Sequence, residues 1–211
     1  MGVRAEQKER TRKTLINVAL DMVAEGRAFT SLSLREVTRA AGIVPTAFYR
    51  HFQSMDELGM AIVGEVLPVL RDQMKRLRTT RGDSDHVLVT SAKFFIEFVL
   101  EHPREFMFYG REIAGGSRAI RNTLRLQTFS FTQDLADDLV ELGMGAELPY
   151  PDRLIIADLI VRMILTTSQD ALEMAGKPQA IESLEKRTIQ QLRLIALGAM
   201  QWSPKNSKTL Y

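Results

Sequence analysis

The chain has 211 residues, 45% of them hydrophobic and 26% charged, with no cysteine and a net charge of +2. That length suits one large helical domain or a small module joined to a larger one, and the apolar share fills a real core. The lack of cysteine removes disulfides, cysteine nucleophiles and thiolate metal sites together and fits a reducing cytoplasm, the expected location.

The charge is unevenly spread. Nine lysines and arginines against five acids fall in residues 1–53, and nineteen against twenty-one in the remainder. A basic end on a nearly neutral body suits a polyanion such as nucleic acid, although many solvated helices share the pattern. The start "MGVRAEQKERTRKTL" carries no apolar leader run, and no stretch reaches about 18 uninterrupted apolar residues. The most apolar run, "LIIADLIVRMILTT" at 154–167, is broken by Asp158 and Arg162 and reads as a buried or interface helix.

In chain order, Leu15, Val18, Ala19, Met22 and Val23 give residues 5–25 helical spacing, and Gly26 ends the segment. Ser33 and Glu36 form a capping box that opens a short helix from about 34 to 41, stopped by Gly42. Pro45 suits a first helical position and starts a second short helix over about 45–52. "SMDE" at 54–57 repeats the capping pattern and opens a long helix to about 78. Further helices are expected over 84–101, 103–114, 117–143, 152–175 and 179–202, separated by "RGD", "HP", "GGS", "GMGAELPYP" and "GKP". No alternating strand pattern of useful length appears, so the expected fold class is all-α. About nine helices are expected: a three-helix domain over 1–53, a helical ligand-binding and dimerisation domain over 54–203, and a frayed tail over 204–211.

Two short helices around Gly42, the second starting at a proline, have the dimensions of a helix-turn-helix. Such a helix fits the major groove, with its amino end at base edges and its flanks on phosphate. Leu34, Val37, Ile43, Phe48 and Phe52 form the expected inward face. Thr46, Ala47, Tyr49, Arg50 and His51 are left outward. With Ser33, Arg35, Val44 and Pro45 they make up the candidate DNA-binding residues.

"TSLSLREVTRAAGIVPTAFYRHFQSMDELGMAIV" at 30–63 resembles the amino-terminal domain of TetR-family transcriptional repressors, with Val37, Ala41, Gly42, Phe48, Tyr49, Phe52, Glu57 and Leu58 in register. Thr38 stands where the family usually has alanine, and Met55 where it often has lysine. "MGVRAEQKERTR", "SLREV.RAAGI.PT.FYRHF...DELG" and "RE..G.S...R" at 111–121 are similar to the FabR and DesT branch, regulators of unsaturated fatty acid biosynthesis. The resemblance implies a cytoplasmic homodimeric repressor on a palindromic operator. It further implies a long-chain acyl thioester, on coenzyme A or acyl carrier protein, as effector. Unsaturated acyl groups would strengthen operator binding and saturated ones relax it.

Seven of the ten phenylalanines fall between 94 and 131, and they either line an apolar tunnel or fill a core at native density. The candidate ligand-facing residues are Phe94, Phe95, Phe98, Phe106, Tyr109, Arg111, Phe129 and Met163. Arg111, with Arg118, Arg121 and Arg125, suits headgroup phosphates. In 179–202, Ile181, Leu184, Thr188, Leu192, Ile195 and Ala199 form a stripe with Ile189, Ala196 and Met200 beside it. The resulting arc is wider than one-sided burial requires, and with the 154–167 run it suits a four-helix dimer interface. The histidines lack metal-ligand spacing, and no GxSxG, Walker or GxGxxG motif is present, so neither enzyme activity nor a cofactor is expected. The rival readings are a family member sensing another hydrophobic molecule, such as a drug or signalling lactone, or an apolar-ligand carrier that binds no DNA.

Overall fold

The computed structural model describes residues 2–79, 83–144 and 147–202; the expected tail over 204–211 lies outside them. The described residues are all-helical: α1 (Val3–Ala24), α2 (Leu34–Ala40), α3 (Pro45–Phe48), α4 (Met55–Thr79), α5 (Ser84–Glu101), α6 (Pro103–Gly115), α7 (Arg118–Glu141), α8 (Tyr150–Glu173) and α9 (Pro178–Gln201), with a tight 3₁₀ turn at Phe29–Ser31. The sequence-based bounds hold to within one or two residues except at α3. There the expected 45–52 helix stops at Phe48. The Arg50 and His51 amides donate to the Ala47 and Phe48 carbonyls three residues back, so the chain tightens into turns.

Both capping signals form. Ser33 Oγ accepts from the Glu36 amide while the Glu36 carboxylate takes the Ser33 amide. Ser54 Oγ accepts from the Glu57 amide, and Glu57 reaches back to the amide of Gln53. Gly42 sits at φ +68, the left-handed conformation in which a Cβ is strained, which fixes a glycine at the turn between α2 and α3.

Contacts divide the chain into two compact units, and the division differs from the expected boundary at residue 53. The first is Met1–Pro68 with His102–Leu126, and the second is Val69–Glu101 with Gln127–Tyr211. In the first, α1 packs on α6 and α2, and α2 on α3. Leu15, Ala19, Leu20, Val23, Val37, Phe48 and Phe52 are buried there. Arg104 bonds Asp21 and Asn17, and Arg111 donates to the carbonyl oxygens of Val23 and Arg27 at the end of α1. Thr38 is buried with its hydroxyl donating to the Leu34 and Arg35 carbonyls, which accommodates a polar group where an alanine is usual. Pro68 lies inside α4 and has no N–H for the Gly64 carbonyl.

In the second unit α5, α8 and α9 pack on one another. Its core gathers Val87, Ala92, Leu135, Leu139, Ile156, Ile160, Val161 and Leu192. The α9 stripe expected to serve a dimer is spent within this unit: Leu184, Thr188, Ile189, Leu192, Ala196 and Ala199 are all buried. Of the expected arc Met200 stays exposed, and beside it Leu194 at 69% and Leu197 on α9, with Ile155 and Leu159 on α8. A wide apolar arc fixes how much of a helix is covered, not which edge stays open.

Gly59 is held by close approach. A Cβ there meets Ile120 Cδ1 at 2.4 Å and Phe29 Cε1 at 2.9 Å, both on buried side chains. Gly59→Ala is expected to lower unfolding stability by about 1–3 kcal/mol through overpacking, despite alanine's better helix propensity; chemical denaturation measures it.

Candidate nucleic-acid interface

Phe48 and Phe52, both fully buried, pin the short α3 and the turn after it, their rings 5.7 Å apart. This anchoring decides which side chains remain outside. Thr46 and Arg50 are exposed, Ala47 is half-buried, and Tyr49 is 63% exposed while its ring edge meets Phe48. Val44, at 65%, and Pro45 are also exposed, so the amino end of α3 presents a small apolar and hydroxyl surface of the kind that meets base edges. Arg35 is exposed on α2. Ser33 is exposed too, but its hydroxyl is engaged with Glu36 in the cap, so its first task is to start α2.

His51 departs from the expected outward set. It is half-buried, and its Nδ1 is enclosed with no hydrogen-bond partner among the described residues. Burial, with the charges of Lys8, Arg12 and Arg50, pushes its pKa below the ordinary value, so the ring is neutral at pH 7. The reason is the early end of α3: a tight turn, rather than a continuing helix, carries residue 51 back toward α1.

That same proximity shows what residue-by-residue reading of the helix-turn-helix missed. Lys8 and Arg12 of α1 stand close enough to His51 to act on its charge, and the Arg12 guanidinium lies over the Phe52 ring, 4.7 Å from its centroid. Lys8, Arg12 and Arg50 therefore form one basic cluster at the foot of the reading turn. The basic excess of residues 1–53 was the signal for it, but only folding brings α1 to the turn. On α2, Glu36 is bound by Ser33 and by Arg27 at 2.8 Å, which hold its carboxyl down at about 2. This acid stays charged but is tied to its neighbours.

The expected ligand-facing residues are not gathered in one unit. Phe106 and Tyr109 belong to the first unit, where Phe106 meets Tyr109, Tyr109 meets Phe108, and Phe108 meets Phe29 edge-on at 5.3 Å. Arg111 is also in that unit, and its donors go to the carbonyls at the end of α1 rather than to a headgroup. Phe94, Phe95, Phe98 and Met163 belong to the second unit. Phe95 and Phe98 are buried, the Phe94 ring lies tilted against that of Phe98 with centroids 5.9 Å apart, and Met163 packs against the core. Phe129 is 53% exposed, so it is a surface residue of α7 and not part of that interior. Among the described residues no group of three or more His, Asp or Glu side chains is placed to hold a metal ion. No helix among them is long and apolar enough to cross a membrane.

The anchored turn that follows α2, with its basic cluster, has the geometry of a helix-turn-helix. Residues 15–62, under a quarter of the chain, match the model of the bacterial regulatory proteins of the tetR family. The fold extends that likeness along the chain. A tetR-family transcriptional regulator from Streptomyces coelicolor is 21% identical, covers 99% of this chain and 87% of its own, and superposes with a TM-score of 0.64. The fatty acid degradation regulator FadR from Bacillus halodurans is 14% identical over 92% of this chain and 97% of its own, with a TM-score of 0.69. A transcriptional regulator of the TerR/AcrR family from Aquifex aeolicus is 15% identical over 88% and 99%, with a TM-score of 0.66.

Lys8→Ala and Arg50→Ala are expected to weaken binding to every DNA sequence alike. Each should reduce the slope of log affinity against log salt by about one, read by fluorescence anisotropy across a salt series.

Proposed function

We propose that the protein is a ligand-responsive repressor of fatty acid biosynthesis genes, unsaturated ones in particular, that binds a palindromic operator as a homodimer and senses long-chain acyl thioesters. The observation that carries the DNA-binding part is the reading turn: Thr46, Ala47, Tyr49 and Arg50 held outward over Phe48 and Phe52, with Lys8 and Arg12 beside them. The dimer reading is supported by large apolar side chains left in solvent on the last two helices, Ile155 and Leu159 one turn apart on α8, and Leu194, Leu197 and Met200 on α9. A two-fold dimer sets two reading turns one DNA turn apart, about 34–36 Å, hence the palindrome.

The acyl reading is supported by the sequence likeness to regulators of unsaturated fatty acid synthesis and by the apolar interior of the second unit, with Phe94, Phe95, Phe98 and Met163. A regulator of fatty acid degradation also shares the fold. An acyl ligand acts by population shift: it favours one arrangement of the helices it touches, and α4, continuous from one unit into the other, carries the bias toward the DNA-reading unit. Unsaturated thioesters strengthen operator binding and saturated ones relax it.

Gel-shift titration on a palindromic operator with oleoyl and palmitoyl coenzyme A is expected to move the midpoint in opposite directions; equal binding with both overturns the lipid-sensing reading. Tyr49→Ala with Arg50→Ala, both exposed side chains, is expected to abolish the shift while leaving helicity and ligand binding intact. Leu194→Glu with Leu197→Glu is expected to give a monomer by sedimentation, with operator affinity lowered at least about tenfold because one half-site is lost.

A further inference from the structure

The turn between α2 and α3 leaves an aliphatic side chain in water. Among the described residues from 4 to 68, the large apolar side chains left exposed are Val44 at 65% and Tyr49 at 63%. Tyr49 rests its ring edge on Phe48 and carries a hydroxyl. Val44 has no polar atom in its side chain, and its exposure serves neither the core nor the cap, since it stands at the N-cap of α3 without a side-chain bond.

Val44 is also held stiffly. It precedes Pro45, which restricts its backbone to the extended region, and it sits there at φ −75 and ψ 146. Its carbonyl accepts from the Ala47 amide at 2.9 Å, and the Gly42 and Ile43 amides just before it donate to the Arg39 and Thr38 carbonyls of α2. The β-branched side chain itself has few rotamers. An aliphatic group fixed in this way loses little freedom when a partner covers it.

Charge and side-chain chemistry together define what covers it. Lys8, Arg12 and Arg50 at the foot of the same turn suit a phosphate backbone, which attracts without regard to sequence. In the major groove all four bases present hydrogen-bonding atoms, and thymine alone adds a methyl group, at C5. Val44, Pro45 and Ala47 carry no side-chain donor or acceptor, and Pro45 has no amide hydrogen. A valine side chain therefore distinguishes base edges through that methyl.

We propose that Val44 is a specificity residue for thymine, packing its methyl groups against the C5 methyl in the major groove. The inference rests on the reading of this turn as the DNA-reading element, and it adds the base-edge group that the turn selects. Deoxyuridine keeps every hydrogen-bonding atom of thymine and lacks only the methyl, so it isolates the contact.

The full chain is first used to enrich duplexes from a random-sequence library, and an enriched duplex is then remade with deoxyuridine replacing thymine at one position at a time. Fluorescence anisotropy is read for the wild type and for Val44→Ala, an exposed change that circular dichroism is expected to show as folded. In the wild type at least one replacement per half-site is expected to lower affinity about fourfold, the worth of one buried methyl. In Val44→Ala the affinity for the thymine duplex is expected to fall by a similar factor, and the thymine preference at that position to shrink below about twofold, because the two changes remove one contact. Equal affinity for thymine and deoxyuridine at every position, or a preference of unchanged size in Val44→Ala, overturns the methyl contact and leaves the DNA-reading turn standing. Failure to enrich any duplex overturns both.

Discussion

The first unit depends on how the end of α1 is tied down: the amides of Glu25, Gly26 and Arg27 donate to the carbonyls of Asp21, Val23 and Met22, and α6 adds a second set of ties. Arg111, 88 residues beyond Val23, donates to the carbonyls of Val23 and Arg27. Its neighbour Glu112 turns inward, where burial pushes its carboxyl above the usual range while the Phe29 amide donates to it. Two successive residues of α6 thus hold the end of α1 and the 3₁₀ turn that follows, and Arg104 adds a third tie to the flank of α1. Since α1 supplies Leu15, Ala19 and Val23 to the core beneath the reading turn, the orientation of that turn rests on a helix more than fifty residues downstream of it. The segment "RE..G.S...R" has a structural use here, and Arg121 belongs to the same set, closing the α6–α7 corner on the Gly116 carbonyl.

On the surface proposed to read DNA, attraction and selection are divided between elements. Lys8, Arg12 and Arg50 provide charge without sequence information. The amino end of α3 offers a hydroxyl, methyl groups and an aromatic edge, which carry information without much charge. His51 sits between the two sets as an enclosed neutral ring among cations. Its position explains how a basic cluster is packed at close range: the uncharged ring fills the space that a fourth cation would make costly.

Local features were legible wherever the signal was local. The capping boxes at Ser33 and Ser54, the left-handed Gly42 and the helix-start Pro45 each act over four residues or fewer, and the sequence spacing contains the whole interaction. The length of α3 was not legible, because three-residue and four-residue hydrogen bonds differ little in local preference and the anchoring of Phe48 and Phe52 decides between them. The aromatic residues between 94 and 131 look alike in sequence, yet Phe106 and Tyr109 fill one unit and Phe95 and Phe98 the other. Only contacts sort them. Arg111 was read as a headgroup ligand because its partners are backbone carbonyls, which have no signature in the sequence.

Pro68 stands within α4 where the contacts of one unit give way to those of the other. The helix is continuous there, but its ladder lacks the rung between residue 68 and the carbonyl of Gly64, and Gly64 adds no side chain to brace it. A single imino acid therefore sets where the hydrogen-bond ladder of α4 is interrupted, and it does so at the residue that ends one unit's share of the helix.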